Sequence, residues 1–231
     1  LYSGDSNLWI GCQSGHVMRF SNGALKDATE TTAALTSPAV MVEFREKTYA
    51  IGAQQIKKYV KDDEWVAVTL SVGSSFVPKA AESINDYLYV VGRDGTNVVA
   101  LRWNGTTWTV KQTLDDMDNI DPWGGVDVCE WNGKAVWAFN RLRDDDPPTV
   151  GAFVSNLEDI AEIARFGAIN EGRIGSIVVS GGLLYASVNE DFAQVVPKTR
   201  LVRLDSDDLI QGHWTSEASS SSWTLIKTWS G

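Results

Sequence analysis

Short apolar runs closed by turn residues recur along this chain: Leu8-Trp9-Ile10-Gly11, Thr48-Tyr49-Ala50-Ile51-Gly52, Leu88-Tyr89-Val90-Val91-Gly92, Val136-Trp137-Ala138-Phe139 and Leu184-Tyr185-Ala186. Each is too short for a helix and rich in β-formers, so each predicts a strand. Their aromatics, Trp9, Tyr49, Tyr89, Trp137 and Tyr185, stand 40, 40, 48 and 48 residues apart, the interval of a repeat.

Three further markers keep step. A basic residue before an aromatic or apolar one follows as Arg19-Phe20, Lys58-Tyr59, Arg102-Trp103 and Arg203-Leu204, with Phe153-Val154 in the fourth place lacking the base. A Trp then opens an outer strand at Trp65, Trp108 and Trp223; Ala24 to Thr29 and Ile160 to Phe166 stand there instead in units one and four, the latter with the look of a helical turn. Before each first marker lies another strand: Ala39 to Phe44, Ala80 to Ile84, Val126 to Trp131 and Gly175 to Val179. Arg45-Glu46-Lys47, Asn85-Asp86, Asn132-Gly133 and Ser180-Gly181-Gly182 supply the hairpin connections.

Each unit is therefore a four-stranded meander of blade length, and the chain is expected to be an all-β propeller of about five blades. A sandwich could use the same strands, but a regular period with recurring aromatics suits blades that pack on two neighbours. Residues 1–231 read as one domain, with blades at about 1–36, 37–73, 74–117, 118–169 and 170–231. The first inner strand survives only as Leu1-Tyr2-Ser3, so the ends either pair to close a ring or belong to a segment of a longer propeller, with excision favoured.

Composition narrows the function classes. A net charge of −10 and no run of Lys and Arg argue against nucleic acid. No stretch approaches the ~20 apolar residues that span a bilayer, so no membrane insertion is expected. The two cysteines, Cys12 and Cys129, sit in no metal or redox motif and read as buried free thiols in strands. Most of the ten Trp fall at repeated positions and are expected to pack blade on blade rather than bind.

Strand, Gly turn, Arg-aromatic, Asn-Gly, Trp is best seen in Arg102-Trp103-Asn104-Gly105-Thr106-Thr107-Trp108, with an echo in Glu130-Trp131-Asn132-Gly133. This pattern resembles the degenerate propeller repeats of phage virion and bacterial surface proteins. The resemblance implies a structural or docking module in a larger assembly, on a virion or an extracellular surface. It implies no catalytic residues.

What does not repeat is where a specific task is expected. Propeller geometry puts two acidic loops on one rim of blade four: Asp115, Asp116, Asp118 and Asp121 before Pro122-Trp123, and Asp144-Asp145-Asp146 before Pro147-Pro148. These carboxylates are solvated, face a basic partner surface, or share a hard cation such as Ca2+, the one cofactor the sequence offers. Trp123, Trp214 and His213 lie in loops, the latter two in a long insertion of blade five, about Asp205 to Ser221, and are the candidate ligand contacts. A lectin with glycan partners is the alternative to protein docking.

Catalysis finds less support. Glycoside hydrolysis needs paired carboxyls, and the inner strands offer Glu43, Glu82, Asp127 and Glu130 in differing registers. Gly105-Thr106-Thr107-Trp108 matches part of the sialidase Asp-box but lacks its Asp. His16 and His213 fall on opposite faces, so no nucleophile–base pair is expected. The chain is therefore read as a non-enzyme.

Overall fold

The computed structural model describes residues 2–4, 7–29, 35, 39–61, 64–69, 75–114, 125–143, 149–157, 162–166, 173–189, 198–204 and 223–230. Among them are five four-stranded antiparallel sheets, each a simple meander. Sheet 1 holds β1 (Tyr2–Gly4), β2 (Asn7–Gly11), β3 (Val17–Ser21) and β4 (Ala24–Asp27). Sheet 2 holds β5 (Val40–Phe44), β6 (Lys47–Gly52), β7 (Gln55–Lys61) and β8 (Glu64–Val68). Sheet 3 holds β9 (Phe76–Ile84), β10 (Tyr87–Asp94), β11 (Asn97–Trp103) and β12 (Trp108–Leu114). Sheet 4 holds β13 (Gly125–Trp131), β14 (Lys134–Arg143), β15 (Thr149–Asn156) and β16 (Glu162–Phe166). Sheet 5 holds β17 (Arg173–Ser180), β18 (Leu183–Asn189), β19 (Lys198–Leu204) and β20 (Trp223–Ser230).

The first strands of successive sheets lie side by side, β1 by β5, β5 by β9, β9 by β13 and β13 by β17, which is a propeller-like arrangement. Four apolar clusters among the described residues fill the gaps between neighbouring sheets. The first gap is built on Trp9, Tyr59 and Trp65, whose rings meet edge to face at 4.8 to 5.6 Å. The second uses the corresponding residues Tyr49, Trp103 and Trp108, with Tyr49 edge to face on Trp103 at 5.6 Å and Trp108 stacked on Trp103 at 5.5 Å. The outer-strand indoles also hydrogen-bond backward: Trp65 Nε1 donates to Ala28 O at 2.9 Å and Trp108 Nε1 to Thr69 O at 3.0 Å, both just past the preceding sheet's outer strand.

Two sequence markers prove to be one device. The aromatic of the second strand and the base of the third are register partners: Trp9 with Arg19, Tyr49 with Lys58, Tyr89 with Arg102, Tyr185 with Arg203. The first three pairs lie on the face turned toward the next sheet. Sheet 4 breaks the pattern, because Val136, not Trp137, holds the aromatic's place, opposite Asn156. Side chains alternate faces along a strand, so this one-residue offset turns Trp137 back toward sheet 3.

Four other expectations are corrected. Within the segment Ile160 to Phe166, the described residues Glu162–Phe166 are not a helical turn but pair with β15 as a strand. The third inner strand begins at Phe76 rather than Ala80. Pro78 conceals that start, yet an innermost strand bonds one neighbour only and tolerates a missing N–H. A bulge beside Pro78 brings Val77 O so near Gly92 that an added Cβ would lie 2.2 Å away, which reserves the position for glycine. Cys12 falls in the turn after β2 rather than in a strand, and both thiols are free and half-buried rather than buried.

The first hairpins carry positive φ at both turn residues: Arg45 and Glu46, Asn85 and Asp86, Asn132 and Gly133, Gly181 and Gly182. They are also stitched together. Arg45 Nη2 donates to Asp86 O at 3.4 Å, Asn85 Nδ2 to Gly133 O at 2.7 Å and Trp131 Nε1 to Gly182 O at 2.8 Å. The acceptor is the second turn residue of the following sheet every time, while the donor changes chemistry at each joint.

Candidate functional site

The innermost strands carry the described carboxyls whose ionisation is pushed up. Glu82 lies on β9, and Asp127, Cys129 and Glu130 on β13, the adjacent inner strand. Alternation along β13 puts Glu130 on the side of sheet 3, opposite Glu82's row, while Asp127 faces sheet 5. Glu43, the fourth inner-strand carboxyl expected from sequence, lies half-buried on β5, one sheet away from this group.

Solvent reaches Glu82, yet protein surrounds it on most sides. Burial first, and then the charges of Asp127 and Glu130, raise its carboxyl above the ordinary range. Burial also raises Asp127, against the pull of two backbone donors: Ile177 N–H bonds Oδ2 at 2.9 Å and Val128 N–H bonds Oδ1 at 2.9 Å. Those bonds fix Asp127 between sheets 4 and 5. The Cys129 thiol is pushed up to about 12, by burial and then by the Asp127 and Glu82 charges, so it is protonated and no nucleophile at neutral pH.

Glu82 thus shares the gap between sheets 3 and 4 with Glu130, while Asp127 is held by backbone bonds on the other side of β13. Two carboxyls whose surroundings differ are the elements of acid–base work. Among the described residues no group of three His, Cys, Asp or Glu side chains is placed to hold a metal ion.

A stability prediction follows from the charge. Glu82 titrates higher folded than unfolded, so the folded state is favoured by its protonation; that contribution is complete below the ordinary value of 4.5 and lost as pH rises through the folded pKa. Glu82→Gln should therefore melt higher than the parent at pH 7, and the gap should close near pH 4. A thermal-melt series across pH checks it; a gap that stays constant would rule out the charge as its cause.

Asp115, Asp116, Asp118, Asp121, Asp144, Asp145, Asp146, Trp123, His213 and Trp214 all fall outside the described residues. His16 is in a turn, as expected. Its Nδ1 meets Asp27 Oδ2 at 2.8 Å and the Thr29 hydroxyl at 3.2 Å. That hydroxyl, first of all, holds the Asp27 carboxyl low. Both contacts use the same ring nitrogen, so the trio forms no relay. The signal for the inner-strand carboxyls was their place on inner strands; what sequence could not supply was which of them face a common gap.

No profile of a known protein family matches the chain, and no curated protein matches it. Solved structures do. Virginiamycin B lyase from Staphylococcus aureus is 14% identical over 90% of this chain and 66% of its own, with a TM-score of 0.58. A candidate 6-phosphogluconolactonase from Bacteroides uniformis is 12% identical over 100% of this chain and 72% of its own, at 0.57. The extracellular domains 1-2 of Drosophila semaphorin 1b are 14% identical over 93% of this chain and 57% of their own, at 0.51. The chain thus spans just under two thirds of the lyase.

These likenesses establish the architecture, and they correct three expectations. The propellers found are enzymes and extracellular domains, not phage virion or bacterial surface repeat proteins. A purely structural or docking module, and a non-enzyme, lose their basis with that resemblance. The reason is physical: the aromatic–base pairs, Asn-Gly turns and outer-strand Trp join sheet to sheet or close hairpins, so they report packing and are blind to function. What the chain shares with these structures is an all-β fold of small antiparallel sheets set in a propeller-like array.

Proposed function

We propose that the chain is the body of a propeller enzyme that performs proton transfer on a small, oxygen-rich, carbohydrate-like substrate at the innermost strands. Glu82 is the acid–base group, raised first by burial; Asp127 is the fixed carboxylate whose charge raises it further, and Glu130 acts in the same direction. The observation that carries this reading is the raised Glu82 carboxyl, reached by solvent and facing the adjacent inner strand. Sugars and their lactones suit it, because their leaving or entering oxygens need a proton donor within reach.

The fold is compatible with catalysis, since the lyase shares it. A histidine-to-alanine variant of that lyase is catalytically inactive, whereas the described groups here are carboxyls, which argues for a different substrate. We take the five sheets as five blades of one domain, with an extracellular setting supported by the semaphorin likeness. Trp123 stacking on a sugar ring, with residues 115–121 and 144–146 as cation or substrate contacts, would add a second substrate contact from the loops of sheet 4. Trp214 and His213 would serve a further contact.

The test is turnover of a panel of sugar lactones and aryl glycosides. The parent should hydrolyse at least one, and Glu82→Gln should lose about 100-fold or more in kcat. The pH profile should fall on the alkaline side as Glu82 ionises. Turnover of no panel member, or full activity in Glu82→Gln, would overturn the reading.

A further inference from the structure

Asn-Gly occurs three times in the chain, as Asn22-Gly23, Asn104-Gly105 and Asn132-Gly133. Asparagine is a thermolabile residue, and a following glycine leaves the next amide nitrogen unshielded, able to attack the side-chain carboxamide. By sequence the three sites are alike. The structure separates them.

Asn104 is held in place. Its Oδ1 accepts from Thr106 N–H at 2.9 Å and from Thr107 N–H at 2.7 Å. The Arg45 guanidinium lies against Gly105, with Nη1 2.6 Å from where a Cβ would stand. Asn22 and Asn132 instead open two-residue hairpin turns, closed by the pairs Ser21 with Ala24 and Trp131 with Lys134. Both are exposed, with left-handed φ of 51° and 50°, and a Cβ on Gly23 or Gly133 would meet nothing within 4 Å. A turn of this kind points the next nitrogen away from the asparagine side chain, so the two meet only when the turn opens locally. Opening is not equally easy at both. Asn85 Nδ2, from the hairpin of sheet 3, donates to Gly133 O at 2.7 Å, whereas among the described residues no side chain bonds Gly23.

We propose that Asn132 is a site of spontaneous deamidation through a succinimide, and that the bond from Asn85 sets its rate. The Gly133 nitrogen bonds Asn132 Cγ and gives its proton to water, while Nδ2 leaves as ammonia. Water then opens the ring. Attack at the side-chain carbonyl yields aspartate; attack at the main-chain carbonyl yields isoaspartate, with the chain rerouted through the side chain. Water is the only co-reactant. Isoaspartate lengthens the tight turn by one main-chain atom and carries Gly133 O away from Asn85. The preceding residue, Trp131, donates to Gly182 O at 2.8 Å, so the same change loosens the hold on sheet 5. This inference is independent of the acid–base site.

Incubation of the 231-residue chain at mildly alkaline pH, followed by peptide mapping, tests it. Each conversion adds one mass unit, and retention separates isoaspartyl from aspartyl peptides. Asn22 should convert first, Asn132 more slowly and Asn104 last. Asn85→Asp tolerates the left-handed turn but cannot donate, and Asn85→Gly removes the side chain outright. In each variant conversion at Asn132 should quicken about fivefold, the factor one net hydrogen bond is worth, while Asn22 keeps its parent rate. An Asn132 that stays intact while Asn22 converts, or that keeps the parent rate in both variants, would overturn the proposal. So would equal quickening at all three sites in both variants, which would place the effect in global opening rather than in the bond.

Discussion

Trp137→Ala should lower the free energy of unfolding by about 3 to 5 kcal/mol, among the largest single effects available in this chain. Trp137 is fully buried between sheets 3 and 4, 4.7 Å from the Phe139 ring, within a cluster that includes Tyr89, Val91 and Ala100. Its indole Nε1 donates to Gln112 Oε1 at 3.0 Å, and Gln112 is itself buried. Truncation would open a cavity in a joint whose two walls are held apart by strands, and would leave an amide oxygen without its donor. Trp137→Phe keeps most of the ring and should cost less, dominated by the lost hydrogen bond at about 1 to 3 kcal/mol. Urea unfolding of the three proteins gives the order; equal midpoints for Trp137→Ala and the parent would refute the placement.

Asn140→Leu should cost about 2 to 5 kcal/mol although it removes no apolar contact. Asn140 is fully buried at the joint of sheets 4 and 5. Its Oδ1 accepts from Ile174 N at 2.9 Å and its Nδ2 donates to Ile174 O at 3.1 Å, so one side chain satisfies both polar groups of a neighbouring inner strand. Leucine fits the volume and satisfies neither. Asn140→Asp restores only the acceptor and brings a charge into the joint. Amide exchange at Ile174 should quicken in the leucine variant along with the fall in midpoint. A change within about 0.5 kcal/mol, the range of an ordinary surface substitution, would show that water replaces the side chain.

These two residues mark the limit of what the sequence discloses. Strand positions were readable because aromatics, bases and turn dipeptides recur, and they recur because each joint repeats the same packing problem. Trp137 belongs to that pattern by spacing and departs from it by facing, and a single-residue offset leaves no trace in a list of apolar runs. Asn140 carries no signal whatever, being one polar residue that follows the apolar run inside β14. Pro78 and Ile160 to Phe166 misled for the opposite reason: local propensity argued against strands that pairing with β10 and β15 imposes.

The candidate site was half legible. Glu43, Glu82, Asp127 and Glu130 stood out as carboxyls on inner strands, but strand registers alone make them look unrelated. Burial of Glu82, and the bonds from Ile177 and Val128 to Asp127, exist only once neighbouring sheets meet.

The stitched hairpins explain why the chain's repeats diverge so far. At the three joints among the described residues the acceptor is a main-chain carbonyl, which any amino acid supplies, and the donor is in turn a guanidinium, a carboxamide and an indole. Natural selection has then only to preserve a donor of suitable reach, not an identity. After duplication, such copies are free to drift toward unrelated compositions while the seam between them persists, and ancestry fades from the residues before it fades from the shape.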